Sequence, residues 1–395
     1  MNENRILVSV KKIDKIEPLT LKSTGETARS VLAFIGGWKA TVGANEFNVG
    51  DLVVFAEPDS IFPVEERWSF LERHKYRIKT QKYGNLIRPN GEAVVSQGLI
   101  LSISVLPEGN TYKEGDDVTK VLGVTHAPEQ DEDEFADNAE FGKDKAKVVR
   151  FKKWMPAKMF NTLMRYDWFR KMAIPPKEFK GFVREVSKTD EERIQNCGDI
   201  VNADTVWTLT EKVDGMSSTY RLKKRPRNLS NRLFGTYKYD FAVCSRNNRL
   251  NNPDNSAYWA MAEKYKIADA LKKIIGNNDW VAIQGEVSGP RCNGNRQGLQ
   301  TNRLFVFNLY YPTGRVKSVE AAEIIKNIGL EWVPIIATGV DLHGKTEEDL
   351  LNMANGKSAL NPDKMREGIV FRAENQDMDL SFKAVSPEYL LKIGE

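Results

Sequence analysis

Over residues 1–122 the chain offers short runs of alternating apolar and polar residues, cut by glycine turns, and no sustained helical period. Arg5-Ile-Leu-Val-Ser-Val-Lys11 alternates, Val31-Leu-Ala-Phe-Ile35 runs into Gly36-Gly37, and Trp38-Lys-Ala-Thr-Val42 follows. Asn48-Val-Gly-Asp-Leu-Val-Val-Phe-Ala56 reads as a turn feeding a buried strand, and Ser96-Gln-Gly-Leu-Ile-Leu-Ser-Ile103 as another. Side chains alternate across a strand, so each run has one face to bury. About five short strands with no helix to cover them close most economically into a small barrel, and an OB-type barrel is the common solution at this length.

The rest of the composition narrows the chemistry. Hydrophobic residues are 41% and charged residues 28%, which is globular. No run approaches about eighteen consecutive apolar residues, so no membrane span is expected. Met1-Asn-Glu-Asn-Arg5 lacks the apolar centre of a signal peptide. Cys197, Cys244 and Cys292 are too few for a disulfide framework or a four-cysteine zinc site, which points to a reducing, intracellular (cytoplasmic) setting. His74, His126 and His343 cannot build an HExxH helix. Acid–base or nucleophilic work therefore falls to lysine, carboxylate, serine or cysteine. A net charge of +4 permits a nucleic-acid partner without demanding one.

Composition shifts suggest three regions: a barrel over 1–125, a connecting segment over 126–185, and a mixed α/β unit over 186–395. Residues 129–140 are acidic (Gln130-Asp-Glu-Asp-Glu-Phe-Ala-Asp-Asn138) and read as a solvated linker. Residues 150–185 turn basic and aromatic, with Lys152, Lys153, Trp154, Trp168, Phe169, Arg170 and Lys171. Such interleaving suits either nucleic acid or an amphipathic helix packed on a neighbour. Beyond it, one helix is expected from a cap at Asp254–Ser256, through Tyr258, Met261, Ala262, Tyr265, Ala268, Leu271 and Ile275, to Gly276. Strands are expected at Val206–Glu211, Phe241–Cys244, Trp280–Glu286, Leu304–Tyr310 and Gly368–Arg372. The three cysteines are read as packing residues.

Glu211-Lys212-Val-Asp214-Gly215 falls where a strand meets a turn. A lysine there can face a pocket while Gly215 permits a tight turn. Its amine becomes a nucleophile only once deprotonated. KxDG alone is a weak signal. Here it is followed by Cys244-Ser-Arg246-Asn, Gln284-Gly-Glu286, Leu304-Phe-Val-Phe307-Asn308, Glu367-Gly-Ile-Val-Phe-Arg372 and Leu380-Ser-Phe-Lys383.

That ordered series resembles the covalent nucleotidyltransferase superfamily of ligases and capping enzymes. Lys188-Thr-Asp-Glu-Glu-Arg193-Ile-Gln195-Asn and Phe382-Lys-Ala-Val-Ser-Pro-Glu-Tyr-Leu390 look like RNA ligases. So do Gly37-Trp38-Lys39, Val49-Gly-Asp-Leu-Val-Val-Phe55, Arg77-Ile-Lys79-Thr and Ser96-Gln-Gly-Leu99. The pattern is similar to ATP-dependent RNA ligases with an N-terminal OB module and a C-terminal nucleotidyltransferase domain. It implies an α+β chain whose catalytic domain has antiparallel sheets.

The resemblance implies that Lys212 attacks the α-phosphorus of ATP, giving lysyl-adenylate. RNA ends with 3′-OH and 5′-phosphate would then be joined through an adenylylated end. It also implies Asp214 and Glu367 on Mg2+ or Mn2+ or its waters, Glu286 on ribose, Phe307 on adenine with Phe305 as substitute, and Arg246 and Lys383 on phosphate. Glu211, Arg193 and Gln195 would complete the nucleotide site. Partners would be RNA and no membrane, for a protein expected to be a monomer. Phosphoryl transfer is mostly positioning and charge neutralisation, which these residue types suit.

Three features depart from the pattern. Ser381 and Val385 flank Lys383 where a second lysine is common, leaving Lys392 as a substitute. Asn308 stands where an acid is common. Arg221–Lys238 is longer and more basic than a hairpin needs, and contact with RNA phosphates is expected of it. The rivals are a DNA ligase or capping guanylyltransferase, and a non-catalytic OB-containing RNA-binding protein. Only Ala384–Glu395 follow Lys383, too short for the trailing OB domain of the first pair, and Ser217 stands where DNA ligases usually carry arginine. Intact Lys212, Glu286, Glu367 and Lys383 speak against the second. On the barrel, Trp38, Lys39, Arg77 and Lys79 are the residue types an RNA-gripping surface needs, with a core place for Trp38 an equal alternative.

Overall fold

A computed structural model of the chain describes residues 6–126, 163, 181–189, 191–225, 238–250, 256–290, 292–375 and 380–393. The acidic stretch 129–140, most of 150–185 and the middle of the basic segment 221–238 lie outside the described residues.

The N-terminal strands form an OB-type barrel. Val8–Lys12, Leu52–Ala56 and Leu99–Ser102 make one antiparallel sheet. Trp38–Gly43, Thr27–Ile35, Lys15–Leu21, Gln81–Ile87 and Ala93–Ser96 make another, in that spatial order. Strands are more numerous than the alternation alone suggests, because pieces such as Ser60–Ile61, paired with Thr125–His126, are too short to show a period. Trp38 packs on Phe55 with ring centroids 5.5 Å apart, among Ile13, Val53 and Ile100. Gly98 has φ +93, and a Cβ there would lie 2.6 Å from the Phe55 ring, so the core admits only glycine. A 3-10 segment at Glu66–His74, absent from the sequence reading, buries Trp68 and Leu71.

The C-terminal domain is built of two antiparallel-dominated sheets. One runs Glu192–Arg193, Ser381–Val385, Gly368–Ala373, Trp207–Lys212, Ile335–Val340. Its core holds Phe371 stacked on Phe382 at 4.6 Å with Trp207 edge-on at 5.1 Å. The other runs Arg249–Leu250, Tyr239–Cys244, Met216–Lys224, Trp280–Ser288, Arg303–Tyr311, Gly314–Arg315. Val213–Gly215 carries the chain from the first sheet into the second. The expected strands are all present.

The expected single helix is two. Ser256 caps Ala257–Lys264, the chain breaks at Lys266 with φ 48 and ψ 47, and Ile267–Ile274 follows. The break re-phases the second helix. Ile267, Ala270 and Leu271 face the core, and Ala268 does not.

The barrel seats directly on the catalytic domain, which changes the reading of its basic and aromatic residues. Trp38 is fully buried and its Nε1 donates to Asn196 Oδ1 at 2.8 Å. Lys39 pairs with Glu348 at 2.6 Å, and Arg77 with Asp59 at 2.6 Å. These three therefore do not form an open RNA-gripping surface. Trp38 and Lys39 are occupied at the seam between domains, and Arg77 by a carboxylate of the barrel itself. In the basic hairpin, Arg221 is buried against Asp240 and Glu185 and does not offer its charge to RNA, while Lys223 pairs with Glu185 at the surface.

Candidate active site

The strand Trp207–Lys212 alternates between two environments. Trp207, Leu209 and Glu211 face the aromatic core, while Thr208, Thr210 and Lys212 face the opposite way. Glu211 is satisfied inside the protein: its oxygens accept from Ser358 Oγ at 2.5 Å and Ala359 N at 2.7 Å. Burial still raises its carboxyl above the usual range. The nucleotide contact implied for Glu211 would have to displace those bonds, so its visible work is to anchor the 355–367 loop.

Lys212 pairs in register with Gly368, which sets Glu367 beside it. The amine donates to Glu367 Oε1 at 2.5 Å, and Glu367 Oε2 is buried with no hydrogen-bond partner among the described residues. Burial would lower the lysine pKa, but Glu367, Glu286 and Asp214 together hold it above the ordinary value. Burial likewise raises Glu367, against the pull of Lys212 and Lys383. Lys212, Asp214, Glu286, Glu367 and Lys383 are thus gathered within electrostatic reach of one another.

The turn after Lys212 requires glycine for space. A Cβ on Gly215 would sit 2.4 Å from Val287 O and 3.0 Å from Glu286 Cγ. Asp214 is buried and fixed by three donors: Asn293 Nδ2 at 2.5 Å, Tyr389 Oη, and Arg296 Nη1 at 3.5 Å. Asn293, Gly294 and Asn295 all have positive φ, of 42, 70 and 50, a left-handed turn that asparagine and glycine readily adopt. Asn293, Arg296 and Tyr389 were not singled out for this role from sequence, because nothing local ties them to Asp214.

Phe305 lies opposite Glu286 in register and is buried, whereas Phe307 is half-buried beside Val213, Val333, Trp332 and Leu360. Of the two candidate rings, Phe307 is the accessible one. Asn308, in the place of the missing acid, joins a buried network with Gln284 at 3.0 Å and Arg372 Nε at 3.1 Å. Arg372 also donates to Thr210 at 2.9 Å and Glu191 at 3.0 Å, and its guanidinium lies 5.5 Å from the Phe307 ring centroid. An acid at 308 is thus not needed to fill the site. Arg372 is a positioning group that sequence reasoning passed over.

Lys383 is the register partner of both Val370 and Arg193. Arg193 and Gln195 are buried at the barrel seam: Arg193 Nη2 lies 3.5 Å from Asp59 Oδ2, and a Cβ on Gly37 would lie 2.7 Å from Gln195 Cα. Arg246 is half-buried in the turn closed by Ser245 N to Asn248 O at 2.9 Å. Lys392 is exposed on the helix Pro387–Ile393.

Two observations bear on what the site could hold. Half-buried Phe307 amid apolar side chains is a platform for a flat ring. The orphaned Glu367 Oε2, and the spare acceptor capacity of Asp214 beyond its three donors, suit a hydrated divalent cation. Among the described residues no group of three His, Cys, Asp or Glu side chains is arranged to bind a metal directly. No described helix is long and apolar enough to cross a membrane.

Comparison with known proteins agrees with this geometry. A family model described as RNA ligase matches residues 205–385, and an OB-fold domain model matches residues 7–103. An apo RNA ligase variant from Naegleria gruberi superposes with a TM-score of 0.70 at 25% identity, over 98% of each chain. The same organism's enzyme with pyrophosphate gives 0.70 at 26% identity, over 98% of each chain. A variant with ATP and manganese gives 0.71 at 25% identity, over 99% of this chain and 100% of that one. No curated protein sequence matches the chain.

Proposed function

Because the chain belongs to the RNA ligase family, with an OB fold ahead of the ligase domain, we propose that it works as an ATP-dependent ligase whose covalent nucleophile is Lys212 and whose product is a 3′–5′ joined RNA. The observation that carries this reading is the buried Lys212–Glu367 pair, ringed by Glu286 and Asp214, with one glutamate oxygen left over.

In the resting site three carboxylates keep the amine protonated. Phosphate oxygens and a divalent cation entering beside Glu367 and Asp214 would redirect that negative charge, so the amine can lose its proton. A cation there supplies charge neutralisation on the triphosphate. The Lys212 nitrogen then forms a bond to the α-phosphorus as the bond to pyrophosphate breaks. An oxygen of the RNA 5′-phosphate next takes the adenylyl group from the lysine. The 3′-hydroxyl finally attacks that 5′-phosphorus and AMP leaves. Lys383 and Arg246 are assigned to phosphate, Phe307 to adenine, Glu286 to ribose, and Glu211 to holding the loop behind the strand.

Incubation with α-labelled ATP and magnesium, followed by denaturing electrophoresis, tests the assignment. The full chain becomes labelled and Lys212→Ala does not, while its thermal unfolding is unchanged. Intact-mass detection of normal adenylation in that variant overturns it.

A further inference from the structure

We propose that Tyr389, on the helix beyond the last motif, is a positioning residue for the cation site, holding Asp214 in place relative to Glu367. The inference rests on the reading of Asp214 and Glu367 as the carboxylates that face a hydrated divalent cation. It adds what sets one against the other.

The two acids reach the cleft from different elements. Asp214 lies in the turn that leaves the strand Trp207–Lys212, and Glu367 directly precedes the strand Gly368–Ala373. Like charges in a buried site repel, and Asp214 adds to the burial that raises Glu367. Their spacing therefore needs a frame that outweighs the repulsion.

Tyr389 supplies such a frame from both of its ends. Its hydroxyl donates to Asp214 Oδ2, and its backbone N–H donates to Ser386 Oγ at 3.1 Å. Ser386 N donates in turn to the Glu367 carbonyl at 2.8 Å, and Ser386 Oγ donates to Asn355 Oδ1 at 2.7 Å. Hydrogen bonds thus run without a gap from the Asp214 carboxylate, through Tyr389 and Ser386, to the main chain of Glu367. Tyr389, Asp214 and Ser386 are all buried, where such bonds are strong and water does not compete. Burial pushes the Tyr389 hydroxyl up, and Asp214 and Glu367 push it further, so it stays a donor and lies within reach of both carboxylates. Asn293 Nδ2 holds the other oxygen, Oδ1, and Arg296 shares Oδ2, both from the loop after Trp280–Ser288. Tyr389 is the donor whose own anchor leads back to Glu367. A hydrated cation needs acceptors at fixed spacing, and groups behind the carboxylates set that spacing.

Tyr389→Phe removes the hydroxyl and keeps the ring. The cation site can be read without reaction, as the factor by which manganese tightens binding of α,β-methylene ATP to the full chain in calorimetry. In Tyr389→Phe that factor is expected to fall about tenfold, with metal-free affinity kept within about twofold. Single-turnover adenylation is expected to need about tenfold more magnesium for half its maximal rate. Asp214→Ala loses the same factor, and the double variant is expected to lose no more than Asp214→Ala alone. A merely structural tyrosine would weaken metal-free and metal-bound affinity alike. Should Tyr389→Phe fail to fold, Ser386→Ala keeps the hydroxyl but loosens its anchor, and is expected to lose part of the same factor. An unchanged factor in Tyr389→Phe, or in Ser386→Ala where that is the variant that folds, overturns the proposal. If manganese tightens nothing in the native chain, the cation reading itself falls and this proposal with it. Absence of label on Lys212 strikes the covalent step alone, and leaves the calorimetric comparison to decide Tyr389.

Discussion

Adjacent residues on one strand live under opposite rules. Glu211 looks into the domain core, where both oxygens are bonded and nothing further is asked of it. Lys212 looks into the cleft, where its partner Glu367 keeps a buried oxygen without a mate. A buried carboxylate oxygen left idle beside a cation is costly, so the Glu367 oxygen marks the cleft side of the strand as the one suited to a ligand. Asp214, two residues on, is intermediate: it reaches the cleft but is pinned by Asn293, Tyr389 and Arg296.

The sharpest way to break this contrast is at Glu367. Glu367→Ala is expected to slow adenylation of Lys212 by on the order of 10²-fold, measured as single-turnover label incorporation. In the ligand-free protein, Glu367→Gln should also lower the Lys212 pKa, because it removes the nearest of three carboxylates raising it. The pH dependence of acylation at Lys212, followed by mass spectrometry, reads this directly. An unmoved profile would detach the two groups from each other.

Glu211 should answer in stability rather than rate. Glu211→Ala is expected to cost about 2 kcal/mol in chemical denaturation, the scale of two bonds to a buried carboxylate. Glu211→Gln should cost much less, because the amide oxygen still accepts from Ala359 N and the amide N–H can donate to Ser358 Oγ once that hydroxyl turns its proton to Gln297 Oε1. The sign with pH follows from the raised pKa of Glu211. The fold favours its protonated form, so its contribution is present below the ordinary carboxyl pKa and lost as pH rises through the raised value. The glutamine variant lacks that loss, and its stability relative to the native chain should improve from acid toward neutral pH. The opposite trend would mean that Glu211 is a charged ligand-binding group after all.

The smallest effect is expected at Ser358→Ala. It removes the hydroxyl that contacts both Glu211 and Gln297 Oε1, the latter at 3.1 Å, and should cost about 1 kcal/mol with adenylation nearly intact. A large catalytic defect there would show that the core side of the strand is as functional as the cleft side.

Strands such as Trp38–Gly43 and Trp280–Ser288 were legible from their residues, whereas Lys15–Leu21, Met216–Lys224 and Ile335–Val340 were not, and Trp207–Lys212 was placed to within a residue. Lys212, Glu286, Glu367 and Lys383 were legible only as an ordered set: Lys212 ends its strand, Glu367 precedes one, and Glu286 and Lys383 lie within theirs. What escaped was decided by contacts far apart in the chain. Trp38 reads equally well as a core or an RNA-stacking residue until Asn196, 158 positions away, accepts a hydrogen bond from its indole N–H. The break at Lys266 has no local signal, since a left-handed lysine follows from how the helix pair packs on its sheet. Arg372 had no role assigned from sequence beyond closing the expected strand Gly368–Arg372. Its bonds to Asn308, Thr210 and Glu191 come from three other segments.

The bond from Tyr389 to Asp214 spans 175 positions of sequence. A growing chain that has already emerged past Lys212 therefore lacks one of the donors that hold the aspartate of the KxDG turn. The turn is fully braced only after the helix Pro387–Ile393 has been synthesised and docked. Timing is thus written into the topology, because a half-made chain does not yet carry a finished KxDG turn.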